Sequence, residues 1–269
     1  MRIPLLSGEK CPETTSIMSH NKPKPLISCI VLLFWLGIWA LASLKVNQEL
    51  LIPSPWVVVR HLIDIVRGPD FFPVIGTSLL RVLGGFLTGC LAGVVLAVLC
   101  STSGVLNALL YPAVHIIRSI PVTSFIILVM LWIPYTYVPV FIAALIVTPV
   151  VFGNVLTGIE ETDKSLLEVA KVYRFTRFKT LRLLYIPSVL PYFYSGALTA
   201  LGLAWKAGIA AEVLALPKKA IGANMYYSKL YLETADLFAW TLVVVLFSFC
   251  FEKLMQHFMK KRKKQEAAS

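Results

Sequence analysis

The sequence predicts an all-α polytopic membrane protein with about six transmembrane helices, on three observations. Apolar residues make up 58% of the 269 and charged residues only 14%, with a mean hydropathy of +0.78; a soluble domain sits nearer half apolar and a quarter charged. The apolar residues gather into runs of about 20, the length that a ~30 Å hydrocarbon layer requires. The basic residues behind the net charge of +11 fall in the gaps between those runs, where membrane topology rather than nucleic acid calls for them.

Taken in order, a leader over residues 1–25 carries Lys22 and Lys24 ahead of an apolar run at 26–44. Ala40-Leu41-Ala42 imitates a signal-peptidase site, but a run of about 19 residues is long enough to span, and a signal core is usually about 7–15. It reads as a retained first span, 26–45. Ser54-Pro55-Trp56 then opens a short amphipathic helix over 54–67, with Ser54 as N-cap, Pro55 at the first helical position and Trp56 as an interfacial anchor. Further spans are expected at 76–100, 112–134, 137–158, 187–214 and 237–257. In the third, Pro112, Arg118 and Pro121 interrupt the first half, which predicts a kink and a continuous helix from about Pro121. The spans and their loops form one transmembrane domain over 26–258, followed by a basic tail at 259–269.

Sixteen basic residues fall in one set of gaps, from Arg2 to Lys24, Lys164 to Arg182 and Lys253 to Lys264. The alternate set holds seven: Lys45, Arg60, Arg67, Arg81, Lys218, Lys219 and Lys229. That asymmetry predicts both termini and the 160–186 loop on the cytoplasmic side, which an even number of spans permits.

Gly85, Gly89, Gly93 and Ala97 place small residues at every fourth position of the second span. Such a stripe lets a helix approach closely, either within one subunit or across a subunit interface. Gly202, Ala207, Gly208 and Ala211 repeat the theme in the fifth span. Lys206 and Glu212 are the ionisable residues most clearly inside a span. An intramembrane charge normally faces a bundle interior or water, so both are candidates for a translocation path or gate, the alternative being snorkelling or structural pairing. Arg118 reads as an anchor near the inner interface, and His115 and His257 as isolated structural residues. Cys29, Cys90, Cys100 and Cys250 lie in apolar runs and Cys11 in the leader, a pattern that fits neither a metal site nor a disulfide framework. A P-loop, a nucleophile elbow and an HExxH motif are all absent from the sequence, so any ATP hydrolysis must occur on a partner.

The most informative segment is the charged island Leu167-Glu168-Val169-Ala170-Lys171-Val172-Tyr173-Arg174-Phe175-Thr176, followed by Ile186-Pro187 and Leu190-Pro191. Ser165 with Glu168 has the form of a capping box. Tyr173-Arg174 should break that helix, and Thr176 should cap a second over 177–184 that runs into Pro187. The alternative, a plain solvated loop, seldom alternates Val172, Tyr173, Phe175 and Phe178 with bases. Glu168-Val169-Ala170, with Pro187 at the expected distance, resembles the Glu-Ala-Ala loop of ATP-binding-cassette (ABC) importer permeases. Arg174 stands where Gly is usual in that loop; if the turn needs positive φ, Arg costs of order 1 kcal/mol. Leu51-Ile52-Pro53-Ser54-Pro55-Trp56, Ser78-Leu79-Leu80-Arg81-Val82, Arg118-Ser119-Ile120-Pro121, Ala204-Trp205-Lys206 and Ala211-Glu212 resemble the nitrate, sulfonate and taurine branch.

The resemblance, over about residues 50–258, implies a type I ABC importer permease fold and a non-catalytic subunit of the prokaryotic cell membrane. It implies a second copy of the chain, two cytoplasmic ATPase subunits that carry ATP and Mg, and an extracytoplasmic substrate-binding protein as partners. It implies residues 167–176 as the ATPase contact and no cofactor on the chain itself. The expected solute is a small anion such as nitrate, an alkanesulfonate or taurine, or a pyrimidine-type vitamin precursor. A secondary transporter would show inverted repeats with matching broken helices, and the sequence shows no such symmetry. A membrane-embedded enzyme would need clustered His, Asp or Glu within the spans.

Overall fold

The computed structural model describes residues 25–266, with side chains described for 27 and for 29–254. The expectations placed on the leader before residue 25, and on the side chains of His257 and the basic tail, lie outside the described residues. Eleven helices are described: α1 Pro25–Val46, α2 Pro55–Arg67, α3 Phe71–Thr102, α4 Gly104–Ser119, α5 Val122–Val129, α6 Val138–Glu160, α7 Lys164–Val172, α8 Arg177–Thr180, α9 Ile186–Ala215, α10 Ile221–Leu230 and α11 Thr234–Glu266. Five segments are long and apolar enough to cross a membrane, or six if the bent pair α4–α5 counts as one.

The short amphipathic helix forms as its residues dictate. The Ser54 side chain accepts from the Val57 backbone N–H and Pro55 occupies the first turn, which satisfies one of the donors a helix start leaves open. Trp56 is exposed. His61 of α2 meets Asp236 of α11 at 2.6 Å, and Thr234 donates to the Leu50 carbonyl at 2.7 Å; together they hold this end of α11 against the α1–α2 connection.

The third span departs from expectation. The longer helix, α4, precedes Pro121 and runs straight through Pro112, and the chain then bends by 102° into α5, which is only 8 residues long. Proline restricts the residue before it to extended backbone. Ile120 duly sits at φ −83°, ψ 133°, so the break falls at Ile120-Pro121 rather than at Pro112.

At the centre lies α6, with α3 on one side and α9 on the other. The glycine stripe of α3 faces α6 within the same chain. A Cβ added at Gly89 would stand 2.7 Å from the Ala144 carbonyl oxygen, and one at Gly93 would stand 2.8 Å from that of Thr148. Gly85 and Ala97 are buried along the same stripe. Across the other seam, Gly158 of α6 leaves room for the Tyr192 ring, and Gly196 of α9 leaves room for Asn154. Small residues thus set the spacing of three helices at backbone contact, where dispersion rather than hydrophobic expulsion holds helices together in lipid. Trp205, fully buried, fills the junction of α9 and α11, donating Nε1–H to the Val244 carbonyl at 3.1 Å and meeting Phe251 edge-on.

Gly89→Val should therefore lower stability by about 1–3 kcal/mol through overpacking, whereas Gly84→Ala, with open space around the added carbon, should be neutral or mildly stabilising. Thermal unfolding of the purified chain in detergent measures both; equal effects would show that the seam is not tight.

Candidate functional site

The charged island folds into a short helix and a tight turn. Its cap is Asp163 rather than Ser165: the carboxylate accepts from both the Ser165 hydroxyl and the Ser165 backbone N–H at 2.8 Å. With Asp163 at the cap, Ser165 stands at the second helical position, so the expected capping box with Glu168 does not form. The Ser165 hydroxyl and backbone N–H hold the exposed Asp163 carboxyl below the usual carboxylate range. The cap is therefore complete above the ordinary carboxylate pKa and lost as pH falls through the depressed value.

At the other end, Arg174 takes φ +50°. The Phe175 N–H bonds the Ala170 carbonyl at 2.9 Å and the Arg174 N–H bonds that of Lys171 at 3.0 Å, the pair of bonds that closes a Schellman motif. The position at which the resemblance expects Gly thus has the left-handed geometry that favours Gly. Lys179 lies 4.2 Å over the Phe175 ring, and the Thr176 side chain caps α8 by accepting from the Lys179 N–H, as its sequence predicts.

Beyond α8 the expected separate helix over 177–184 does not end. A π-helical turn, Leu181–Tyr185, carries it into α9, with the Ile186 N–H bonding the Leu181 carbonyl. Pro187, which lacks an N–H, stands directly after this π-helical turn, two residues beyond Tyr185. One helical column consequently runs from Arg177 to Ala215. The island is joined to α6 through residues 161–163 at one end and to this column at the other.

Within the island only Ala170 is buried, with Leu167 and Phe175 half-buried. Leu166, Val169, Val172, Tyr173 and Phe178 are exposed, Val172 at 80% and Tyr173 at 72%. Glu168, Lys171, Arg174 and Thr176 surround them, also exposed.

The two intramembrane charges separate. Lys206 is exposed on α9 and borders a recess of about 270 Å³ with Ser248 and Glu252 of α11. Glu212 is wholly buried, which rules out snorkelling. One carboxylate oxygen accepts from the Ser78 hydroxyl at 2.9 Å and from the Gly222 N–H at 3.2 Å, and the other from Arg81 at 3.3 Å. Arg81 also donates to the Lys218 and Lys219 carbonyls, at 2.8 and 3.3 Å, and Ser78 accepts from the Ile221 N–H at 3.0 Å. This network pins the α9–α10 connection, with Leu216 and Lys219 both in left-handed backbone, onto α3.

Comparison with known proteins agrees with this geometry. Residues 68–264 match the family of binding-protein-dependent transport system inner membrane components. The chain belongs to that family. Among curated relatives of this permease, the nitrate import permease protein NrtB of Synechococcus elongatus is 28% identical over 222 residues, covering 78% of each chain. The taurine transport system permease protein TauC of Escherichia coli is 23% identical over 230 residues, 83% of this chain and 82% of that one. A Bacillus subtilis chain described as an aliphatic sulfonates transport permease protein, SsuC, is 24% identical over 215 residues, 80% of this chain and 76% of that one. The fold matches a bacterial ABC transporter involved in the import of the acidic polysaccharide alginate, with a TM-score of 0.63 at 16% identity over 88% of this chain and 95% of that one. It also matches an amino acid ABC transporter with a TM-score of 0.56 at 16% identity, over 82% and 98% of the two chains. The permease is thus a non-catalytic membrane component that works with an ATPase and a binding protein.

Sequence reasoning singled out Glu212 but not its partners. Ser78 and Arg81 stand three positions apart on α3, hence on one helix face, a signal that could have been read. Removing one member of a buried ion pair strands the other, so Glu212→Ala should lower the permease's stability by about 3–5 kcal/mol, and Glu212→Gln, which keeps one acceptor oxygen for the donors around it, by less. Arg174→Gly should raise it by about 1 kcal/mol by relieving the left-handed residue. Thermal unfolding reads all three, and a destabilised Arg174→Gly would refute the strain.

Proposed function

We propose that this chain forms the translocation path of an ATP-driven importer of small oxyanions of the nitrate, sulfonate and taurine kind, acting as two copies with two ATPase subunits and an extracytoplasmic binding protein. Residues 167–176 are the ATPase contact. The observation that carries this reading is the exposure of Leu166, Val169, Val172, Tyr173 and Phe178 on a charged segment beside exposed Glu168, Lys171 and Arg174; large exposed apolar side chains rimmed by polar residues mark a protein contact. Its mounting supports the same reading, since a push on α7 reaches α6 and α9 together. Basic residues in the ratio sixteen to seven favour both termini and this segment on the cytoplasmic side. The substrate class rests on the relatives, whose names include nitrate, taurine and aliphatic sulfonates.

In this reading ATP binding draws the ATPase pair together, the α7 segments follow, and the helices pass between inward-open and outward-open arrangements, two states that ATP and solute bias differently. Lys206 lines the path, and Glu212, through its network with Arg81, braces the gate at the α9–α10 end.

Tyr173→Asp should leave membrane insertion intact while abolishing solute-stimulated ATP hydrolysis and uptake in vesicles; normal stimulation would remove the ATPase from this surface. Lys206→Met should insert and assemble normally yet lose most uptake, and unchanged uptake would take the residue out of the path.

A further inference from the structure

A second polar feature lies apart from the charged island and from Glu212. Between α4, α6 and α9 is a cavity of about 560 Å³, lined by Asn107, Tyr111, His115 and Arg118 of α4, by Asn154 and Glu160 of α6, and by Tyr192 of α9. Two glycines of α6 make it. Gly153 admits the guanidinium, since a Cβ there would lie 2.6 Å from Arg118 Nη2, and Gly158 admits the Tyr192 ring. Arg118 donates to the Pro149 carbonyl and forms no ion pair with a described residue. From Pro149 to Glu160 is about 16 Å along α6, half the hydrocarbon thickness. The cavity therefore runs from mid-span to the end of α6, where α7 begins.

A wall holding a guanidinium, an imidazole, a carboxylate and two amides does not face acyl chains; at this depth it faces water or protein. Arg118, His115, Tyr111 and Glu160 are all exposed. A guanidinium at mid-span with no ion-pair partner among the described residues attracts an anion, most strongly where low-dielectric walls focus its field, and its planar fork matches an oxyanion. The cavity also carries acceptors. The Asn107 Oδ1 is buried from solvent beside it, with no partner among the described residues. Glu160 adds a carboxylate at the end near α7.

We propose that this cavity is a station for the transported solute, a small oxyanion whose charged oxygens meet Arg118 and His115, one helical turn apart on α4. The assignment rests on the oxyanion-importer reading above and deepens it by naming residues that hold the solute. Arg118 is then a solute ligand rather than the structural anchor that its sequence position suggests.

Thr157, exposed on the cavity rim, provides the test. Thr157→Cys is placed in a chain whose five native cysteines are replaced by alanine, and the importer is assembled with its ATPase in lipid vesicles. It is treated with a sulfonate-bearing and a trimethylammonium-bearing methanethiosulfonate of similar size, with and without taurine, bicarbonate or nitrate. The anionic reagent should react faster by about tenfold or more, the lower end of field focusing in charged clefts. Arg118→Gln should bring the ratio near unity and Arg118→Lys should largely restore it. Whichever of the three solutes the importer takes up should slow the reaction. Equal rates for the two reagents in the unaltered cavity, no modification by either, or no protection by a solute that the importer takes up would each overturn the proposal, with no need for the Arg118 variants to fold. Uptake of the three solutes with the binding protein present separates the two levels. Uptake without charge selection at Thr157→Cys sinks the station alone. Charge selection dependent on Arg118, with none of the three solutes taken up, upholds an anion station and sinks the substrate reading.

Discussion

The structure depends on backbone-level contact across α3, α6 and α9. In lipid an apolar side chain gains nothing by leaving its solvent, so helices associate through close packing. Gly89 and Gly93 bring α3 onto α6, and Gly158 and Gly196 bring α6 onto α9, each at a separation no larger residue permits. Because α6 is held on both sides, the charged segment that follows it inherits a fixed base. A Schellman turn at Arg174 and a π-helical turn at Leu181–Tyr185 then return the chain directly into α9. The segment is a closed bracket on two helices already docked to each other.

At the other end of α9 a buried polar network replaces glycine packing. Glu212 receives three donors, and Arg81 also donates to the two carbonyls of a connection that carries left-handed non-glycine residues. Such backbone persists where the surroundings over-determine it. The two ends of α9 are therefore built differently: an apolar, exposed bracket at one, and a satisfied ionic clamp at the other.

Much of this was legible in the sequence, and the misses have local causes. The α2 cap, the break at Tyr173-Arg174 and the Thr176 cap all follow from side chains acting on their own neighbours, which sequence spacing fixes. The glycine stripe predicted close approach but not its partner; that α6 of the same chain fills it depends on tertiary placement. The capping box failed because Asp163, two residues earlier, takes the N-cap position and starts the helix ahead of Ser165. Pro112 was over-weighted: proline penalises a helix interior, yet α4 continues through it, and the residue before Pro121 decides the bend instead. The helix past Arg177 was ended too early because a π-helical turn leaves no mark in the apolar periodicity. Glu212 was found as an intramembrane charge, but its burial required knowing that Ser78 and Arg81 face it from another helix.

The central claim is that the 167–176 bracket, α6 and α9 move as one body when the ATPase acts. The most direct measurement is the distance between spin labels at Val172 and Leu203, both exposed, in the assembled importer with and without ATP, the labelled chain being diluted with unlabelled chain so that most complexes carry one labelled copy. The account predicts a distance unchanged to within about 2 Å, well short of one helical turn. A shift of about 5 Å or more, the rise of a full turn, would show that the bracket slides or hinges against α9 and would contradict it.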